Sequence, residues 1–578
     1  MDADRPRADD RFAMLPWERL RDKLITVDGK PYAAYKTIEG AYRFERFVVF
    51  IDEVPVDPPG GPVPIRVRMD QAEARIPTEL WTTPVRRAGL EDFIGRRWHE
   101  AARRVGRARG GRGGIFIESG GQEILPRTTC RVADESVEVR ASVVLPSEGR
   151  KASGRQAQSL WFEDLGQVVD ASLVFTPHAA EATRHVEVAE DHSALRTLLA
   201  ERGLVAFIAD GAVLPRDPDS DRPALARLVT FQAPPELSVT LETPHRGSVT
   251  GLGIPRGVTV IVGGAFSGRS TLLRAIASAV YPHLPGDGRE YCATSPDAVW
   301  IRSDVGRHVE GVNLSPFISS LPGGEEPTRY HTAAAPALVA EVASITEALE
   351  AGTSLLLFDE DSIAPRLLAR DPLWRHLRPD TREAVTPLAD LLRPLYAESG
   401  VSTITAGGTG SSLPGVADTV IAMDNFRPLV VTAAAKELAA QWPAVRVAEI
   451  RGFGGTHHRV PLGDSMAFLR GRRLRPDASG PGSLTISRET IDLRALAQLV
   501  DAAQARGAAA ALVLAVERGY VDGTRTVREI LSVLEADVAA EGLDVLSPRD
   551  FPVGDFAQPR RQEIAAVLNR LRTLRVKS

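Results

Sequence analysis

The plainest chemistry in the chain lies in Gly263-Gly264-Ala265-Phe266-Ser267-Gly268-Arg269-Ser270-Thr271. These residues meet the pattern G-x-x-x-x-G-K-[ST] at every fixed position except the lysine, which is Arg269. Glycines at that spacing let backbone N–H groups turn inward around phosphate. The N-terminus of the following helix adds partial positive charge. On this reading residues 263–271 cradle a nucleotide, and the Ser270 hydroxyl binds Mg2+. The plain alternative is an ordinary glycine-rich turn from strand to helix. Further on, Leu355-Leu-Leu-Phe-Asp359-Glu360 is an apolar run that ends in acids. Asp359 suits the Mg2+ shell, and Glu360 is placed to orient or deprotonate an attacking water. The competing reading is an acidic strand end, Asp359-Glu-Asp361, facing solvent.

Such groups work only if the fold delivers them together. Arg256-Gly-Val-Thr-Val-Ile-Val-Gly-Gly264 reads as a buried parallel strand. The next segment, Ser270 to Val280, puts Leu272, Leu273, Ile276 and Val280 on one helical face. Ser354–Phe358 and Val401–Thr405 read as further buried strands, the latter followed by Gly407-Gly408. Strands alternating with helices predict an α/β sheet with its chemistry at the strands' carboxyl ends. Before them, Phe47–Ile51, Val137–Val144 and Leu204–Ile208 read as strands, and Leu90 opens a helix. Breakers at Pro215–Pro223 and Ala233–Pro235 suggest a boundary near residue 240. Three helices are expected toward the end, the last packing through Ile564, Val567, Leu568, Leu571 and Leu574. The expected organisation is an N-terminal α+β domain over 1–240, a core over 241–435, and a helical or α+β domain over 436–578.

With 43% hydrophobic and 25% charged residues, the chain has the composition of a folded globular protein, not a disordered one. Its net charge of −5 confines any nucleic-acid surface to a local patch. The two cysteines, Cys130 and Cys292, are too few for a disulfide framework and favour a reducing compartment. The apolar run Ala508–Val516 is too short to span a bilayer, and the first residues lack a signal-peptide core. A cytoplasmic protein without membrane segments is the expectation. The cations are 64 arginines against six lysines. Compositional bias accounts for most of that, so arginine runs here say less about nucleic acid than they otherwise would.

A phosphate loop, then an apolar strand ending Asp-Glu, then another strand, is the layout of ABC-type ATPases. The chain resembles the predicted ABC-class ATPases, stand-alone proteins without membrane domains. The resemblance is carried by Gly29-Lys-Pro-Tyr-Ala-Ala-Tyr35, Gly149-Arg-Lys-Ala-Ser-Gly-Arg155 and Val205-Ala-Phe-Ile-Ala-Asp-Gly-Ala212. It continues through Gly251–Val258, His283-Leu-Pro-Gly-Asp-Gly-Arg-Glu290, Ser315–Ile318, Glu347-Ala-Leu-Glu350 and Asp359-Glu-Asp361. It implies an ABC nucleotide-binding core with extensions at both ends, ATP and Mg2+ as cofactors, and homodimers, some of them linked to RNA. Three places depart from the pattern. Arg269 stands where the family has lysine. Pro336-Ala-Leu-Val-Ala-Glu341 replaces a Ser-Gly-Ser-Thr-Ser-Gln-like signature, removing the hydroxyls and glycine that grip the γ-phosphate held by the opposite subunit. Ile363-Ala-Pro-Arg366 replaces a small polar run with Asn.

Other candidates are weaker. Seven arginines fall within seventeen residues from Arg96 to Arg112. Arg103, Arg104, Arg107, Arg109 and Arg112 could track a phosphate backbone, or simply form a solvated loop. A second cluster, Arg470–Arg475, is open to the same two readings. Neither has interleaved aromatics for base stacking. His457-His458 lacks metal-ligand company, and Ser411-Ser412 stands where many ABC proteins carry a γ-phosphate-sensing His. The sequence therefore points to a degenerate ATPase that closes as a homodimer and binds RNA or DNA. The alternative is a catalytically inactive, nucleotide-holding dimeric scaffold for protein partners.

Overall fold

A computed structural model describes residues 11–577 except 58–60, 109–113, 219, 225–227, 370–382, 408–411, 442–452, 454–457, 472, 473 and 475. The chain forms two compact units, one of residues 1–189 with 541–558 and one of 190–540 with 559–578.

The first unit is built on a seven-stranded sheet. Its central strands, Phe47–Ile51, Val63–Asp70 and Ser136–Val144, pair antiparallel. Helices Trp17–Val27, Pro84–Ala108 and Leu165–Leu173 share its core with Tyr35, Tyr42, Trp98 and Trp161, all fully buried. The late segment returns to this unit through Asp544, which accepts from Arg140, and Phe556, whose carbonyl accepts from the Thr128 amide.

The second unit holds the sheet that matters for chemistry. Its strands are β1 (Val258–Gly263), β2 (Val299–Ile301), β3 (Leu355–Asp359), β4 (Ser402–Ala406), β5 (Thr419–Asp424) and β6 (Arg427–Val430). Their order is β2-β3-β4-β1-β5-β6, with the first five parallel and β6 antiparallel to β5. These are nearly continuous Val/Ile/Leu runs because both faces are covered. Helix α1 (Arg269–Ser278) buries Leu272, Leu273 and Ile276, and Val280 is buried just past its end. Helix α2 (Ala337–Glu350) is mostly buried. Leu204–Ala209 pairs with Gly247–Pro255 and Ala293–Thr294 in a separate sheet.

After residue 475 come a small three-stranded sheet (Asp477–Gly480, Ser483–Ile486, Glu489–Asp492) and helices Ala502–Glu517, Val527–Glu541 and Arg561–Arg570. The run Ala508–Val516 lies inside a buried helix, and among the described residues no helix is long and apolar enough to cross a membrane.

In the first unit the arginine run divides. Arg96 Nε donates to the fully buried Asp92 at 2.6 Å, and its other nitrogens cap the carbonyls of Gly121 and Glu123. Arg97 pairs with Glu100 at 2.8 Å. Arg103, Arg104 and Arg107 are exposed on the last turns of the helix; Arg109 and Arg112 lie outside the described residues. Burial alone would raise Asp92, but Arg96 and His185 more than reverse this and hold it at about 2. A carboxyl depressed below its usual value contributes stability above that value and loses it as the pH falls. Arg96→Ala should therefore cost up to about 3 kcal/mol at neutral pH in urea unfolding. The gap should narrow as the solution is acidified toward the folded value. A gap independent of pH would assign the whole effect to lost packing.

Candidate nucleotide site

The parallel register brings the candidate residues to one edge. Asp359, the last residue of β3, lies opposite Ala406 of β4, and β4 lies beside β1. The phosphate loop leaves β1 at Gly263 and enters α1 at Arg269, so loop and acids emerge on the same side with one strand between them.

Gly263 and Gly268 are required by space and backbone conformation. At Gly263 (φ +151°) a Cβ would fall 2.6 Å from Ser267 Oγ and 2.7 Å from the Met423 carbonyl. Gly268, in the left-handed region at φ +104°, caps α1. Its open side faces the Phe426 ring, 3.2 Å from where a Cβ would sit. The Phe426 amide also donates to the Ser267 carbonyl at 3.1 Å, tying the β5–β6 turn to the loop.

Two side chains in the loop have buried polar atoms without partners: Ser267 Oγ and Arg269 Nη1. Both atoms can donate, and both are available to an acceptor-rich ligand. Arg269 Nη1 lies 3.6 Å from Glu360 Oε2, a charge contact without hydrogen-bond geometry. Ser270 and Thr271 are half-buried in the first turn of α1. Asp359 is buried at the end of β3, where one carboxylate oxygen accepts from the Asp361 amide at 3.3 Å. The nitrogen-rich loop, a half-buried hydroxyl and a buried carboxylate are a donor set that fits a phosphate–Mg2+ group. Gly264, Ala265 and Phe266 are exposed, Phe266 almost fully at 97%.

The structure also shows what the sequence reading missed. Phe266 sits at φ +60°, and Asn425 and Phe426 form the two-residue β5–β6 turn at φ +48° and +67°. Asn tolerates this region, but bulky residues such as Phe266 and Phe426 held in it cost about 1–3 kcal/mol each and concentrate at functional sites. Segment 336–341 opens α2, with Pro336 preceding its first turn. Its fully buried Glu341 accepts from the Ala364 amide at 3.0 Å, joining two of the segments that depart from the family pattern. Burial pushes the Glu341 carboxyl up, and that amide bond opposes the shift. At the other end of α2, Glu347 binds Arg307 at 2.7 Å and Glu350 binds Arg459 at 3.0 Å, all buried. Two buried carboxylates three residues apart in an apolar helix were the available signal that two cations must face them.

Of the remaining candidates, His458 is exposed, whereas His457, Gly408, Ser411, Arg472, Arg473 and Arg475 lie outside the described residues. His283 pairs with Asp287 at 2.9 Å. No group of three or more His, Cys, Asp or Glu suited to a metal ion occurs among the described residues.

Comparison with known proteins decides the family. A model of the ABC ATPase P-loop domain matches residues 178–459, and one described as the N-terminal part of ATPases of the ABC class matches 17–176. The chain belongs to the ABC-class ATPases. A third model, the MRB1590 C-terminal domain, matches this ABC-class ATPase over 475–577. The uncharacterized protein MJ1628 of Methanocaldococcus jannaschii is 32% identical over 209 residues, covering 34% of this chain and 45% of that protein. The match thus spans less than half of that relative's length. Among solved structures, cbiO1 of Clostridium perfringens, part of an ABC transporter complex, is 15% identical at a TM-score of 0.25, covering 42% of this chain and 92% of that one. A bacterial Atm1-family ABC exporter with ATP bound is 15% identical at a TM-score of 0.24, covering 53% and 55%.

Proposed function

We propose that this ABC-class ATPase binds ATP with Mg2+ at residues 263–271, hydrolyses it weakly, closes as a homodimer and engages nucleic acid. The observation that carries the nucleotide reading is that Ser267 Oγ and Arg269 Nη1 are buried without a hydrogen-bond partner, in a loop where Gly263 leaves no room for a side chain. Backbone amides from Gly264 to Ser270 and the N-terminus of α1 bind phosphate, while Ser270 and Asp359 are the candidate Mg2+ ligands. Bound Mg2+ would supply charge neutralisation on the phosphates. Glu360, a third exposed at the same edge, is the candidate for orienting water. The buried, unpaired cysteines fit a reducing compartment, the cytoplasm.

Weak turnover follows from what opens α2. Pro336-Ala-Leu-Val has no hydroxyl and no glycine, so a second subunit would meet the γ-phosphate without its usual clamp. Transition-state contacts of that kind are worth about 2.7–4 kcal/mol per donor. The same lack favours the alternative, an inactive dimeric scaffold that holds nucleotide for protein partners. Turnover separates the two. Grafting Ser-Gly-Ser-Thr-Ser-Gln onto 336–341 should raise the steady-state ATPase rate more than Arg269→Lys does. Glu360→Gln should abolish that gain. A graft that stays silent while Arg269→Lys restores turnover would contradict the composite-site account.

The nucleic-acid reading rests on Arg103, Arg104 and Arg107, exposed within two turns of one helix. Reversing all three charges should weaken RNA or DNA binding uniformly across sequences and flatten its salt dependence. Unchanged affinity and salt slope would return these arginines to ordinary solvation.

A further inference from the structure

Two phenyl rings stand in solvent beside the phosphate loop: Phe266 within it, almost fully exposed, and Phe426 in the β5–β6 turn, 52% exposed. Strands β1, β4 and β5, which carry the loop and flank it, supply no other Phe, Tyr or Trp. Both backbones are held where a bulky side chain is unwelcome, at φ +60° and +67°. A two-residue hairpin turn with φ positive at both positions favours Asn-Gly, yet here Asn425 is followed by a phenylalanine. The strained turn is fastened to the loop all the same. The Phe426 amide donates to the Ser267 carbonyl, and its ring lies against Gly268. At 97% exposure, Phe266 gains nothing from burial to offset its own strain.

Sheet order gives the rings a direction. Strand β1 lies between β4 and β5, so the acids that end β3 are on one side of the loop and the β5–β6 turn is on the other. A phosphate chain laid across 263–270 with its end toward Asp359 and Glu360 sends its nucleoside toward Phe426. We propose that Phe266 and Phe426 are the platform on which the base of the bound nucleotide stacks. The proposal rests on the nucleotide reading above and concerns the part of the ligand that the loop's amides do not hold. Stacking needs only a π-face, so the platform takes a nucleoside phosphate and adds affinity without a hydrogen-bonded readout of the base. Such contacts are worth at least about fivefold in affinity per base. The platform also accounts for a ring at a turn position where glycine would be unstrained.

The test is calorimetric titration of Mg·ADP and Mg·pyrophosphate into three full-length chains: the parent, Phe266→Gly with Phe426→Gly, and Phe266→Tyr with Phe426→Tyr. ADP is not turned over, and pyrophosphate occupies the loop without a base; tripolyphosphate replaces it where it binds too weakly to measure. Glycine suits both backbones, and thermal unfolding of each chain confirms the fold. An asparagine pair, which also tolerates this region, replaces the glycine pair should that not fold. The glycine pair should lose at least about fivefold in ADP affinity while pyrophosphate shifts by less than about twofold. The tyrosine pair, which keeps both rings, should bind ADP within about twofold of the parent. Equal losses for the two ligands would assign the rings to the shape of the loop and overturn the proposal. So would a tyrosine pair as weak as the glycine pair, or unchanged ADP affinity in the glycine pair, whatever happens to its oligomeric state. Binding of neither ligand to any of the three chains would instead overturn the nucleotide reading on which it stands.

Discussion

A strand and a loop can act on the same phosphate only if their carboxyl ends meet at one sheet edge. In this chain that requirement is met by the parallel pairing of β1 with β4 and of β4 with β3. Strands in a sheet lie about 4.8 Å apart, so one intervening strand sets Gly263 and Asp359 about 10 Å apart across the edge. That spacing leaves room for the side chain of Arg269 to reach back toward Glu360. Everything else at the site depends on it. Gly407 sits where β4 ends at φ +135°, and its lack of a Cβ makes room for Glu360. Shifting β4 by one residue would turn Thr403 and Thr405 to the opposite face and misplace Gly407.

Helix α2 is the second constraint. It carries at its start the segment that stands in for the family's signature, and at its end two buried carboxylates. Burying charges is costly unless each has a partner, and Arg307 and Arg459 supply them. Asn569 of the last helix accepts from Arg459 at 2.8 Å, so the end of α2 is tied to the C-terminal segment within the same unit. At the start of α2, Glu341 is tied to Ala364, just beyond the acidic turn. One hydrogen-bonded carboxylate thus links residues 336–341 to Ala364, two residues past the Asp359–Ser362 turn.

What the sequence made legible was local. The β1–loop–α1 unit, the apolar run ending in Asp359 and the buried face of α1 each announce themselves within a dozen residues through periodicity and glycine placement. The partnerships that hold the site together span long separations and leave no local pattern. The placement of β4 between β1 and β3, the Glu341–Ala364 bond and the return of residues 541–558 to the first unit are of this kind. The arginine run misleads for a related reason. Residues counted as one cationic stretch divide among Arg96, which serves the buried Asp92, Arg97, which pairs with the exposed Glu100, and Arg103, Arg104 and Arg107, which face solvent. Helical phase and the position of Asp92 separate them, and only the folded chain shows both.

The central claim is that backbone amides of residues 264–270 form the nucleotide's phosphate cradle. Amide hydrogen exchange of the full chain with and without Mg·ATP tests it most directly. The account predicts slowed exchange in 264–270, extending into the first turn of α1, at nucleotide concentrations that saturate binding. Unchanged exchange there, with binding still detected or protection appearing only elsewhere in the chain, would contradict it.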